Sequence, residues 1–139
     1  MAIHIAETNV EIMACWPVLA QLRPHIQPEH ALALIRQQFK EGYRLAFVRR
    51  DEKVAGVAGF RILNSLASGK FCYVDDLVTD ESNRSGGVGS ELIEWLREFA
   101  RSEGCARLEL DSGVQRFDAH RFYLRHRFAI KSHHFSLDV

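Results

Sequence analysis

The chain has 139 residues, 47% of them hydrophobic and 26% charged, with three prolines and a formal net charge of zero. This is the composition of one globular domain with a substantial core, not of a disordered or fibrous chain. The absence of a basic excess argues against a protein that holds nucleic acid by neutralising phosphates. Cys15, Cys72 and Cys105 are scattered and form no Cys-x-x-Cys pair, so they read as reduced, packed thiols. No basic start leads into an apolar run, and no stretch approaches the ~18 apolar residues of a membrane span. The expected setting is the cytoplasm, away from the membrane.

Ile3 and Ile5 alternate in a short first strand. Thr8 and Glu11 have capping-box spacing, and Ile12, Cys15, Trp16, Leu19 and Leu22 then recur at helical intervals. Pro17 falls inside that helix, which predicts a kink or a restart. After a break at residues 23–28, a second helix starts near Glu29, carries Leu32, Ile35 and Phe39 on one stripe, and stops at Gly42. The period then changes. Residues 43–50 and 53–63 read as a hairpin around Arg50, Asp51 and Glu52, with Gly56 and Gly59 marking bulges. Residues 64–69 form a loop and residues 70–79 a long third strand.

From Val88 the pattern is helical, with Leu92, Leu96, Phe99 and Ala100 on the buried stripe and Gly104 after the end. Residues 106–111 read as a strand, 116–126 as a helix and 128–139 as a last strand. Strand, two helices, three strands, helix, strand, helix, strand is the order of an α/β domain, α+β in the sense of a mixed sheet.

The turn between residue 79 and the helix at Val88 invites a phosphate, because backbone N–H groups and the helix dipole converge there. It contains no lysine, which excludes a Walker loop, and it lies past mid-chain with Leu92 where a dinucleotide fingerprint needs glycine. The spacing Arg84-x-x-Gly87-x-Gly89, after a strand ending Asp76-Leu77-Val78-Thr79, instead resembles the GNAT superfamily of acetyl-CoA-dependent N-acetyltransferases. A second motif agrees. Ala119 preceding Phe122-Tyr123, with Phe128 following, is similar to that family's later helix. The resemblance covers the chain from about residue 70 onward by motif, and the earlier part by topology.

The resemblance implies a single GNAT-like acyl-CoA N-acyltransferase domain over residues 1–139, a central twisted mixed sheet flanked by about four helices. It implies acetyl-CoA as co-substrate, its pyrophosphate on the backbone of Ser85, Gly86, Gly87, Val88, Gly89 and Ser90 beside Arg84. The pantetheine arm would run along Leu77, Val78 and Thr79, where the family has a bulge. The acceptor would be the amine of a small molecule or peptide. Family members commonly form homodimers.

Direct acetyl transfer poses two proton problems: an ammonium with a pKa of about 10.4 must lose a proton, and the departing thiolate is better protonated. Tyr123 takes the place of the family's acid to the thiolate. Asp75 matches the first acid of the pair, associated in relatives with deprotonating the amine, often through water; Asp76 is the second choice. Adjacent strand residues should face opposite ways, so the two acids should not share a role. Arg23 and His25, between the first two helices, read first as a solvated loop, and by the resemblance alone as positions that face the acceptor.

Four of the seven histidines, His120, His126, His133 and His134, lie near the end. Their spacing on a helix and a strand points them apart, so no metal is expected. Arg116 stands where relatives often carry a coenzyme-binding asparagine, and Arg127 replaces the usual glycine before Phe128. A non-catalytic CoA-binding sensor or interaction domain on the same fold is the alternative function.

Overall fold

A computed structural model of the chain describes residues 2–139. The described residues group into two compact units, one running up to Glu109 and the other Leu110–Val139. The first is built on a five-stranded sheet, β1 (Ile3–Ile5), β2 (Arg44–Arg50), β3 (Lys53–Ser65), β4 (Gly69–Thr79) and β5 (Arg107–Leu110), in that spatial order. The pairs β1–β2, β2–β3 and β3–β4 are antiparallel. Between β4 and β5 the chain crosses over through helix α3 (Val88–Ser102), a connection that makes neighbouring strands parallel and the sheet mixed.

Helix α1 (Asn9–Leu22) begins at a full capping box. The Glu11 N–H donates to Thr8 Oγ1 at 3.1 Å, and the Thr8 N–H donates to Glu11 Oε1 at 3.0 Å. The helix runs unbroken through Pro17, so the expected restart does not occur. Helix α2 (Pro28–Lys40) packs beside α1, and α1 packs on β3 and β4. Together they bury Ile12, Cys15, Trp16, Leu19 and Ile35 with Leu45, Phe47 and Val57 from one sheet face.

The other face belongs to α3. Phe60 of β3 meets the rings of Trp95 and Phe99 edge-on at 5.7 and 5.2 Å, and Val88 and Leu92 press so close to Gly56 that a Cβ there would lie 2.4 Å from Val88 Cγ1. A sheet covered on both faces explains why β3 is buried almost continuously from Val54 to Phe60.

The second unit holds helix α4 (Phe117–Arg125). The strand expected over residues 128–139 is not formed; that segment has no regular structure and is exposed from Ala129 onward. Phe135, Leu137 and Val139 alternate as a strand face would, but they stand in solvent. A period of two encodes a face and supplies no partner for the backbone, so the pattern alone does not make a strand.

Candidate active site

The acid pair sits at a bulge. Along β3 and β4 the register passes from Gly59↔Asp76 to Phe60↔Val74, which leaves Asp75 as the one residue of β4 without an opposite number. The extra residue resets the period of two. Asp75 and Asp76 therefore both line one cavity of about 400 Å³ in the first unit, and do not face opposite ways as alternation requires. On the β3 side, Leu77, Val78 and Thr79 pair regularly with Ala58, Val57 and Gly56.

Each carboxylate is tied to its own arginine. Arg23, at the end of α1, donates from Nε to Asp76 Oδ1 at 2.8 Å and from Nη2 to the Asp75 carbonyl at 3.0 Å. Arg61 of β3 donates from Nε to Asp75 Oδ1 at 3.0 Å, and its Nη2 donates to Gln38 Oε1. Asp76 is the more enclosed acid, its side chain 13% exposed against 26% for Asp75. It also accepts a hydrogen bond from the Tyr43 hydroxyl at 2.7 Å.

Tyr43 reaches Asp76 because Gly59 lacks a side chain; a Cβ on Gly59 would lie 1.8 Å from the Tyr43 oxygen. Burial and the neighbouring Asp76 push the Tyr43 phenol well above the usual tyrosine range, so it stays a proton donor to Asp76. Burial raises the Asp75 carboxyl above the ordinary aspartate value, opposed by the hydrogen bond and charge of Arg61. Asp75 is thus the more exposed member of the pair and is held by fewer side chains. Arg23 and His25 line the same cavity.

The glycine turn after β4 is a chain of tight reversals. A short 3-10 turn (Glu81–Asn83) is capped by Asp80, whose carboxylate is held by Ser82, Gln21 and Asn83. Ser85 and Gly87 both adopt left-handed φ, +70° and +83°, with Gly86 between them. For Ser85 that conformation costs about 1 kcal/mol or more, a strain typical of a functional loop. Gly87 is the N-cap of α3 and brings no side-chain cap of its own to the start of the helix. The Gly86 N–H is already directed at the Asn83 carbonyl, 3.3 Å away, so it is not among the donors a phosphate would find. Arg84 is exposed beside the turn and pairs with no carboxylate among the described residues.

Beyond this turn the edge of β4 matters. The four-residue β5 enters beside Lys70, to whose carbonyl the Ala106 N–H donates at 2.9 Å. A parallel strand of that length stops before Leu77, Val78 and Thr79, so β5 does not occupy their second edge.

In the second unit, Tyr123 on α4 packs edge-on against Phe122 and Phe128, with ring centroids 5.5 and 5.6 Å away. Burial raises its phenol above the usual tyrosine value, and the Arg116 guanidinium pulls the other way. Arg127 takes a left-handed φ of +70°, and the Phe128 N–H bonds to the Tyr123 carbonyl at 3.1 Å. The turn that relatives make with glycine is made here by an arginine. His120 Nε2 lies 2.7 Å from the Gly113 carbonyl, and His134 Nδ1 lies 3.6 Å from Asp111. No group of three or more potential metal ligands occurs among the described residues. Cys72 and Cys15 are buried, and burial pushes each thiol up to about 12, so neither is a ready nucleophile.

Sequence reasoning missed Tyr43 and Arg61. The signal for Tyr43 was the glycine at position 59, which stands at the register shift, as expected of a bulge, and also admits the close approach of Tyr43. Arg61 carried no separate signal, being one charged residue on an apolar strand.

A sequence model of the Acetyltransferase (GNAT) family matches residues 9–128. An uncharacterised N-acetyltransferase of Bacillus subtilis is 32% identical over 126 residues, covering 89% of each chain. An aminoalkylphosphonate N-acetyltransferase of Salmonella typhimurium is 35% identical over 94 residues, 67% of this chain and 58% of that one. Among solved structures, an aminoglycoside N-acetyltransferase in complex with CoA superposes with a TM-score of 0.83 at 17% identity, covering 99% of this chain and 95% of that one, a likeness of fold.

Proposed function

The chain belongs to the GNAT family of acetyltransferases and is an acyltransferase, and from that premise we propose that it works as one domain moving acetyl from acetyl-CoA directly to a primary amine, with Asp75 as base. The observation that carries the assignment is the bulge at Asp75. It turns two neighbouring carboxylates into one cavity, where Tyr43 and Arg23 fix Asp76 while Asp75 keeps a raised proton affinity. A base needs that affinity; a permanently ionised anchor does not.

Acetyl-CoA supplies the activated thioester. Its pyrophosphate fits the first N–H groups of α3 at Val88 and Gly89, with Ser85, Gly87 and Ser90 around it and Arg84 as counter-charge. The edge of Leu77, Val78 and Thr79 offers backbone donors and acceptors to the pantetheine arm, as an added strand would use them. Asp75, or water it orients, takes a proton from the ammonium. The amine nitrogen then forms the new C–N bond as the C–S bond breaks, Tyr123, kept protonated by burial, gives its proton to the departing thiolate, and the second proton shed by the nitrogen as it becomes an amide restores the Tyr123 hydroxyl. The reading includes a homodimer, checked by sedimentation equilibrium, and a cytoplasmic location.

The test is release of CoA thiol from acetyl-CoA over a panel of primary amines. Turnover of at least one amine, with kcat lowered about 100-fold or more in Tyr123→Phe, is expected from the ~10²–10⁴-fold worth of a positioned acid or base. CoA binding without turnover of any amine would favour the sensor reading.

A further inference from the structure

The cavity lined by Asp75 and Asp76 has a distinct charge balance, and this section rests on its being the acceptor site. Two carboxylates stand in or beside it, and two guanidiniums are bonded to them, Arg23 to Asp76 and Arg61 to Asp75. Their formal charges cancel. A polycationic acceptor would find no unpaired carboxylate for its further ammonium groups and would lose their hydration without return.

Arg23 nevertheless has capacity left. A guanidinium carries five N–H donors; two of them go to the Asp76 carboxylate and the Asp75 carbonyl, its side chain is 42% exposed, and it lines the cavity together with the exposed His25. Because Arg23 Nη2 lies 3.0 Å from the Asp75 carbonyl, the place for an anion and the place for an amine are neighbours. Beside the polar Gln38, Tyr43 and Tyr73, the wall carries an apolar stretch of Leu19, Ile26, Ile35 and Leu34, the last 45% exposed at the rim. An apolar side chain this open gains from being covered. The volume, about 400 Å³, is at the small end of the ~300–1,000 Å³ range of ligand sites.

We infer that the acceptor is a small zwitterion: a primary amine carrying one acidic group a few bonds away, carboxylate or phosphonate, on a short apolar chain. The amine is received at Asp75, the acid by the unused N–H groups of Arg23 and by His25, and the chain by Leu19, Ile26, Leu34 and Ile35. Guanidinium recognises carboxylate and phosphonate alike by paired N–H donors.

The test is calorimetric titration of the full chain, with CoA present so that no transfer occurs. The probes are leucine, the phosphonate analogue of leucine, isoamylamine, which is leucine without its acid, and an aminoglycoside. Leucine or its phosphonate analogue should bind at least about tenfold tighter than isoamylamine, about 1.4 kcal/mol, and the aminoglycoside weaker still. The tighter of the two acids identifies the acid.

Arg23→Met should reduce the preference for the acid to near unity, and His25→Ala, a change at an exposed position, should shrink it without touching the Asp76 ion pair. Equal or tighter binding of isoamylamine or the aminoglycoside would overturn the inference. So would a preference that survives both variants, or no binding of any probe. Tight binding of the zwitterion with no acetylated product from acetyl-CoA would instead overturn the acetyl-transfer reading. Acetylation of isoamylamine as efficiently as leucine would leave that reading standing and remove this one.

Discussion

Replacing Gly59 by alanine adds one methyl group at the most crowded point behind the acid pair. The new Cβ would lie 1.8 Å from the Tyr43 oxygen and 2.4 Å from Cζ, so the ring, 5% exposed, must move. Overpacking of this kind costs about 1–3 kcal/mol. Moving the ring also breaks the 2.7 Å bond to Asp76, and a hydrogen bond to a charged group contributes about 1.5–3 kcal/mol. Alanine returns about 0.5–1 kcal/mol over glycine within a strand.

The net loss for Gly59→Ala is about 3 kcal/mol, a large share of the ~5–15 kcal/mol that holds such a domain together. Tyr43→Phe alone forfeits the hydrogen bond and keeps the packing, about 1.5–3 kcal/mol. The double variant should cost at least about 1 kcal/mol less than the sum, because the bond is lost only once and the closest clashing atom is gone. Urea titrations of the wild type, both single variants and the double variant measure all four. A Gly59→Ala variant within 0.5 kcal/mol of wild type, or a strictly additive double variant, would refute the idea that this glycine exists to admit Tyr43.

Other positions give further outcomes. Arg127→Gly should stabilise the chain by about 1 kcal/mol, because a left-handed φ of +70° costs an arginine what it does not cost glycine, as a rise in the urea midpoint would show. Asp75→Asn should gain stability relative to wild type as pH rises. Burial raises the folded carboxyl above the ordinary aspartate value, so wild type loses stability as pH climbs from that value through the folded pKa, and asparagine does not. A difference between the two proteins that stays flat or reverses with pH, measured by urea titration from acid to neutral, contradicts the burial of Asp75. Cys72 and Cys15 should resist a thiol reagent in the native protein and react promptly in urea, since burial keeps both thiols protonated.

Where a local rule had a single answer, the sequence was readable. The capping box at Thr8 and Glu11, the stripe along α3 and the glycine turn before it each depend on neighbours within one or two helical turns, and each is present. The acid pair shows the limit. Asp75 and Asp76 could be singled out from the sequence, but their turning to one cavity depends on a register shift against Gly59 and Phe60, and register is a property of two strands together. Tyr43 and Arg61 were missed for the same reason, since each meets its carboxylate across the sheet. At the other end, Phe135, Leu137 and Val139 kept a strand's alternation without a partner strand, which no local pattern can supply. Pro17 was expected to interrupt α1 more than it does; the helix continues through it, anchored by the buried Cys15, Trp16, Val18 and Leu19 on either side.

The account stands most directly on Asp75. The measurement is kcat/KM for acetyl transfer across pH, for wild type and Asp75→Asn with the same amine. The account predicts a wild-type profile with an acidic limb set by a group titrating above the ordinary aspartate value, and in the variant a rate at least about 100-fold lower with that limb gone. An Asp75→Asn enzyme that keeps both the rate and the limb would contradict it.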